Sequence, residues 1–193
     1  MVIKPMLNKL SRSSKTFGIL SMDRDDCIQR CDSKGEITLP IAHFTLVSSN
    51  IKPKIVIYGL GSCIALILYD SQNKVFAMSH ILLPHSDKNT FPKFPHKFAD
   101  SSVKDLMENM ILNGAEKSNI KAVIVGGSKI FQNQINNVGS ENIKAVKREL
   151  ERLKIRISNE DVGGKRGRII IYDTKENTVY SKTTGEENFT KIL

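Results

Sequence analysis

A cysteine and a histidine, seventeen positions apart, carry the chemistry that this chain could perform. Cys63 ends the run Gly59-Leu60-Gly61-Ser62-Cys63, and His80 lies in the next apolar segment. A thiol attacks carbonyl carbon as its thiolate, and because its ordinary pKa is about 8.5, it needs a neighbouring base near neutral pH. Imidazole exchanges a proton in that range. The two residue types therefore predict nucleophilic catalysis by Cys63 with His80 as its base.

The small residues before Cys63 favour the same chemistry. Gly59 and Gly61 can adopt positive φ, so that the turn leaves backbone N–H groups uncovered. Such groups could hold the oxyanion that forms when a thiolate attacks a carbonyl. We therefore predict that Gly61 and Ser62 form the turn and the oxyanion-binding part of the site.

A β-hairpin is expected to bring the two reactive groups together. The apolar runs 64–69 and 75–83 flank the turn cluster Asp70-Ser71-Gln72-Asn73-Lys74, which is typical of a hairpin buried on both faces. Cys63 and His80 lie about equally far from a turn centre near residue 72. The hairpin therefore predicts that they face each other across the two strands.

A simpler interpretation remains open at this point. Cys63 could be a small buried apolar residue at the start of a strand, and His80 a core histidine with a satisfied hydrogen bond. Composition and spacing alone favour this interpretation, because short glycine-rich runs and Cys/His pairs are common.

Periodic apolar residues define the elements that would position the site. Asp100 is expected to cap a first helix, whose apolar stripe is Val103, Leu106, Met107, Met110 and Ile111. Ser140 is expected to cap a second helix, whose inward-facing residues are Ile143, Val146, Leu150 and Leu153. Further strands are predicted at 121–125, 155–157, 168–172 and 178–182. Because the strands and helices show no βαβαβ alternation, we predict an α+β layered sandwich, with a mixed, largely antiparallel β-sheet and two long amphipathic helices outside.

Composition bounds the class of protein. Residues 1–36 are predicted to be a loosely ordered extension, and residues 37–193 a single domain. The net charge of +9 is spread along the chain without basic runs, which does not favour nucleic-acid binding. Three cysteines do not form a secreted disulfide framework, and no apolar stretch approaches the roughly 20 residues of a membrane helix. We expect a cytoplasmic protein without membrane insertion.

Three other patterns are weaker. Cys27, Cys31 and His43 lack the spacing and the fourth ligand of a zinc site, so no metal or cofactor is expected. Gly126-Gly127-Ser128-Lys129 lacks the spacing of a phosphate-binding loop. His85 is a second, weaker candidate for a catalytic histidine.

Several ordered motifs resemble one known family. They are Gly59–Ala65 with Leu68-Tyr69-Asp70, then Met78–Pro84, Lys97–Asp100, Gly126-Gly127-Ser128 followed by Phe131, Val138-Gly139 with Asn142, and Asp161–Gly164 with Gly167-Arg168. Together these segments, between about residues 40 and 182, are similar to the CheD family of chemoreceptor glutamine deamidases.

The resemblance implies a cysteine-dependent hydrolase that converts glutamine side chains of chemotaxis receptors to glutamate, and in some members also hydrolyses receptor methyl esters. By position, Cys63 matches the family nucleophile and His80 its general base. The resemblance further implies two partners: the cytoplasmic domains of chemoreceptors, and a CheC-type phosphatase that contacts Gly126, Gly127 and Phe131.

Two departures from the family pattern bear on activity. Ile57 stands where the family usually has a threonine that completes the triad, and Ala42-His43 stands where Gly-Glu is common. Isoleucine offers no hydrogen bond to an imidazole. Either Tyr58, Ser62 or a backbone carbonyl replaces the threonine, or turnover is weakened. The alternative function is a catalytically weak interaction protein that binds a CheC-type phosphatase, the receptors, or both.

Overall fold

The computed structural model describes residues 19–20, 31–48, 52–86, 94–130 and 137–193. Within these ranges the strands are β1 (Ile19–Leu20), β2 (Glu36–Thr38), β3 (Phe44–Val47), β4 (Lys54–Leu60), β5 (Ile64–Asp70), β6 (Val75–Ile81), β7 (Lys121–Gly126), β8 (Arg156–Val162), β9 (Arg168–Asp173), β10 (Thr178–Thr183) and β11 (Thr190–Lys191). The long helices are α1 (Ala99–Leu112) and α2 (Val138–Arg152), and short 3-10 turns lie at Pro95–Lys97 and Lys117–Asn119. Most of the predicted extension over residues 1–36 falls outside these ranges.

The strands form two sheets of mixed orientation. The six-stranded sheet has the order β1-β3-β6-β5-β7-β8, and the five-stranded sheet has the order β11-β10-β9-β4-β2. Among the strand pairs of the described ranges, β7 with β8 and β2 with β4 are parallel, and the others are antiparallel. The prediction of an α+β sandwich with a mixed, largely antiparallel sheet is confirmed.

Strand β5 shows how the layers are arranged, because all seven of its residues are buried. Ile64, Leu66 and Leu68 pack in a cluster with α1 and α2, which we call the helix-side cluster. Ala65, Ile67 and Tyr69 alternate with them and pack with residues of β4, β9 and β10 in a second, inter-sheet cluster. Alternation along a strand turns neighbouring side chains to opposite faces. The layers are therefore helices, six-stranded sheet and five-stranded sheet.

The predicted stripe residues of both helices pack in the helix-side cluster, except Ile111 of α1, which is 40% exposed, so its predicted place in the stripe was wrong. The first residues of the helices also differ from the prediction. Phe98 is the N-cap of α1, and Asn137 is the N-cap of α2, where its side-chain oxygen accepts from Ser140 N. The predictions that Asp100 and Ser140 cap the helices were wrong. Phe98 is extended because it forms a bridge with Leu83, so α1 begins at the next residue. Among the helices described, none is long and apolar enough to cross a membrane.

Candidate active site

Cys63 and His80 lie on the same face of the six-stranded sheet. In the β5–β6 pair, Ile64 is opposite Ile81 and Ala65 is opposite His80. Cys63 is two residues before Ala65 and belongs to the same inter-sheet cluster, so its side chain lies on the face of the sheet that His80 shares with Ala65. The predicted direct opposition is shifted by two residues. A shift of two keeps both side chains on one face, and this face is turned to the inter-sheet cluster.

Both reactive groups are largely buried, with 8% of Cys63 and 5% of His80 exposed. Burial raises the pKa of the Cys63 thiol, and its own backbone N–H opposes this effect by favouring the thiolate. Burial also lowers the pKa of His80, while the hydrogen bond to Leu39 acts in the other direction and the nearby His43 adds to the lowering. Each shift favours an uncharged group.

The imidazole of His80 is oriented by main-chain groups. Its Nδ1 lies 3.2 Å from the carbonyl oxygen of Leu39. Because a carbonyl can only accept, Nδ1 carries the hydrogen and Nε2 of the neutral ring is the proton acceptor. Nε2 is buried and has no hydrogen-bond partner among the described residues. This tautomer is the one that a general base requires.

The backbone of His80 is bound by the same segment, residues 39–43. His80 N donates to His43 O at 3.0 Å, and Ala42 N donates to His80 O at 2.9 Å. Ala42 has a φ of 67°, in the left-handed region that favours glycine. The resemblance places this alanine where the family commonly has glycine, and the backbone geometry explains why glycine suits the position.

The hydrogen bond described for His80 Nδ1 is to a backbone carbonyl, and position 57 offers no hydroxyl. Ile57 is 1% exposed and belongs to the inter-sheet cluster, so it offers only apolar contact. Of the three replacements left open by the sequence, Tyr58 is 58% exposed, whereas the carbonyl of Leu39 is bonded to the ring. Sequence reasoning did not single out Leu39, because a main-chain oxygen has no signature in the residue type.

The two glycines of the turn before Cys63 differ in backbone conformation and in surroundings. Gly59 has a φ of 74°, as predicted, whereas Gly61 does not adopt positive φ. A Cβ at Gly61 would lie 2.3 Å from Cδ1 of Ile130, so this glycine permits a close approach. Ser128 N donates to Gly61 O at 2.9 Å, and Gly127 N donates to Cys63 O at 2.8 Å. The end of β7 thus fixes the turn.

Gly126 and Gly127, predicted to bind a partner, are buried, and the contacts described for them are internal. A Cβ at Gly126 would lie 2.3 Å from Cys63 O, and one at Gly127 would lie 2.5 Å from Cγ1 of Ile143. Phe131, the third residue of that prediction, lies outside the described residues. Partner binding by this segment stays a prediction.

The remaining histidine and cysteine candidates lie apart from this arrangement. His85 is exposed, and its Nδ1 is 3.3 Å from Nη2 of Arg148 on α2, the helix layer. Within the described ranges, no group of three or more His, Cys, Asp or Glu residues is placed to hold a metal ion. Cys27 falls outside these ranges.

Comparison with known proteins supports one family. The model of the family described as CheD, chemotactic sensory transduction, matches residues 82–183. A probable chemoreceptor glutamine deamidase CheD from Clostridium botulinum strain Hall is 42% identical over 136 residues, covering 68% of this chain and 84% of the relative. Its namesake from strain Eklund 17B is 40% identical over 154 residues, covering 78% and 94%. The C-terminal domain of CNFy from Yersinia pseudotuberculosis covers 82% of this chain and 61% of that chain at 11% identity, but its TM-score of 0.30 does not establish a shared fold.

An α+β sandwich that carries a thiol and an oriented, neutral imidazole on one sheet face has the groups that thiol-dependent hydrolysis needs. The extent of the family match and the identity to these relatives show that the chain belongs to the CheD family.

Proposed function

We propose that this protein is a glutamine deamidase that acts on the cytoplasmic domains of chemoreceptors, with Cys63 as nucleophile and His80 as general base. The relatives are named as probable chemoreceptor glutamine deamidases, which supports the substrate class. The observation that carries the assignment of residues is the shared face of Cys63 and His80, together with the acceptor at Nε2. Such a substrate places the reaction in the cytoplasm.

The first half of the reaction forms a thioester. His80 Nε2 takes the proton of the Cys63 thiol as the sulfur attacks the amide carbon of a glutamine side chain. The carbonyl oxygen becomes an oxyanion, for which backbone N–H groups of the Gly61–Cys63 turn are the candidate donors. The C–N bond then breaks, and His80 returns the proton to the departing nitrogen, which leaves as ammonia.

The second half releases glutamate. His80 Nε2, again neutral, takes a proton from a water molecule that attacks the thioester, and the C–S bond breaks as the thiol of Cys63 is restored. The balance is one amide and one water consumed, and one carboxylic acid and one ammonia formed. The same steps hydrolyse a glutamyl methyl ester, with methanol leaving in place of ammonia.

The structure explains why a neutral pair suits this cycle. Burial opposes both the thiolate and the imidazolium in the free protein. Proton transfer is instead coupled to bond formation, when the developing negative charge moves to the substrate oxygen. The proposed catalytic unit spans residues 37–193, because Leu39 to His43 hold the imidazole.

The test is a comparison of the full chain and two cysteine variants on receptor cytoplasmic fragments. Mass spectrometry should show the small mass gain of amide-to-acid conversion at particular glutamines with wild type and with Cys31→Ala, but not with Cys63→Ala. Ammonia release should agree. Identical spectra for wild type and Cys63→Ala would show that the proposal is wrong.

We also infer that a CheC-type phosphatase binds at the segment from Gly126 to Phe131. This partner follows from the family resemblance, and the exposed side chains Lys129 and Ile130 provide accessible surface in the segment. In a binding titration, Phe131→Ala should weaken the complex while Cys63→Ala leaves it unchanged. A complex of equal affinity for wild type and Phe131→Ala would contradict this partner site.

A further inference from the structure

Asn142, on the first turns of α2, is a fully buried polar residue that reaches both reactive segments. Its side-chain Nδ2 donates to the carbonyl oxygen of Ser62 at 2.8 Å and to that of Leu82 at 2.9 Å. Ser62 directly precedes Cys63, and Leu82 is two residues after His80. The relative exposure of Asn142 is 0%. One amide group therefore joins the two segments from the helix side of the sheet.

The place of this contact is the end of the β5–β6 pair. The paired residues run from Asp70 and Val75 to Ile64 and Ile81, and pairing stops there. Beyond it, β6 turns to another segment, because Leu82 N donates to Lys97 O at 3.0 Å. Asn142 thus bridges two carbonyl groups at the point where the strands no longer bond each other.

The contact also sets the direction of the peptide that joins Ser62 to Cys63. In a trans peptide, the C=O of one residue and the N–H of the next point in opposite directions. Because Asn142 binds the Ser62 carbonyl, the N–H of Cys63 points away from Asn142.

We propose that Asn142 is a positioning residue that turns the N–H of Cys63 toward the reacting carbonyl, where it stabilises the oxyanion. The inference rests on the proposed deamidase function. Asn142 acts through Ser62 and does not itself touch the substrate. The neighbouring bonds from Ser128 N to Gly61 O and from Gly127 N to Cys63 O hold the adjacent peptides, so the whole turn is fixed on its carbonyl side.

The chemistry of the contact explains the residue type. An asparagine amide presents two N–H donors on a short side chain, which matches two carbonyl acceptors. Aspartate would present only acceptors at neutral pH, and serine only one donor. The Oδ1 of Asn142 is buried without a partner among the described residues. A residue needed only for packing would avoid that unpaired oxygen.

The decisive experiment separates an oxyanion effect from general damage. On a receptor cytoplasmic fragment, Asn142→Ala should lower kcat by roughly 10-fold to 100-fold with little change in KM, because the oxyanion exists only after attack begins. Alkylation of Cys63 by iodoacetamide forms no oxyanion, so its rate should stay within about threefold of wild type. Asn142→Ser, with one donor, should have an intermediate kcat.

Asn109→Ala is the matched control, since Asn109 donates to Asp105 on α1 and should leave kcat unchanged. If Asn142→Ala does not fold, as judged by thermal unfolding, Asn142→Ser decides the question. The inference about Asn142 would be overturned, while the deamidase function stands, by any of three results. These are a wild-type kcat in the folded Asn142 variants, a rise in KM without a fall in kcat, or an alkylation rate that falls by the same factor as kcat. A wild-type chain that converts no glutamine would overturn both.

Discussion

The imidazole of His80 and the main-chain oxygen of Leu39 are hydrogen-bonded at 3.2 Å although they are 41 positions apart in the chain. The bond decides which ring nitrogen can accept a proton, and it does so without a polar side chain. Ile57, at the position of the family's usual threonine, is enclosed in the inter-sheet cluster.

Cys63 should react slowly with iodoacetamide near neutral pH, and the rate should continue to rise above about pH 8.5, the ordinary pKa of a thiol. The reason is that burial raises the pKa of Cys63. Peptide mass spectrometry gives the extent of alkylation at this residue as a function of time and pH, with glutathione as the unperturbed reference. A fast rate that is constant from acid to neutral pH would instead reveal a thiolate–imidazolium pair.

Acid should destabilise the fold through His80. Burial lowers the pKa of the folded histidine, so the unfolded chain binds a proton that the folded chain does not. Stability is therefore lost as pH falls below about 6.5, the pKa of an unfolded histidine. Urea unfolding of His80→Asn should show a shallower loss between neutral pH and pH 5 than wild type does. A wild-type slope in His80→Asn would contradict the prediction.

Ile57→Thr should not increase activity, although it restores the residue common in the family. Leu39 already binds Nδ1, and a hydroxyl placed in the inter-sheet cluster costs about 1–3 kcal/mol of stability. Ile57→Val, which costs about 0.5–1.5 kcal/mol, separates the loss of volume from the effect of the hydroxyl. We expect kcat/KM of Ile57→Thr at or below wild type. A clear gain in kcat/KM would mean that the Leu39 carbonyl orients the imidazole poorly.

Ala42→Gly should stabilise the protein. Ala42 has a positive φ, which costs a residue with a side chain about 1–2 kcal/mol, and glycine would remove this cost. Glycine also makes the unfolded chain more flexible, which lowers stability by about 0.5–1 kcal/mol, so we expect a net gain in stability of about 0.5–1 kcal/mol. Ala145→Gly, in the buried part of α2, is the control of opposite sign and should cost about 1 kcal/mol. Chemical denaturation measures both variants, and a destabilised Ala42→Gly would exclude strain at this position.

The layers and the shared face of Cys63 and His80 could be predicted because they depend on side-chain periodicity. The alternation of side chains in strands and the apolar stripes of helices are visible in the sequence as patterns of apolar and polar residues. The pairing of Cys63 with His80 was displaced by two residues, because the turn occupies residues 71–74 and Lys74 adopts a φ of 55°. A lysine at positive φ has no marker in the sequence. The cap at Phe98 was missed for a similar reason, since phenylalanine provides no capping group.

The contacts of Leu39 and Asn142 could not be predicted, because each joins distant segments through a main-chain oxygen. Asn142 meets the carbonyl of Ser62 across 80 residues of sequence. All residue types carry that carbonyl, so only the folded arrangement distinguishes the one that is used.

The use of the Leu39 carbonyl has a consequence for how the site tolerates mutation. An alanine scan would pass over position 39 as an ordinary apolar core residue, since each of the twenty amino acids supplies the same oxygen. Only a change in the path of the backbone, such as a deletion between Leu39 and His43, would move this carbonyl oxygen away from the imidazole. The orientation of the His80 imidazole therefore depends on the path of the backbone, and it changes only when that path changes.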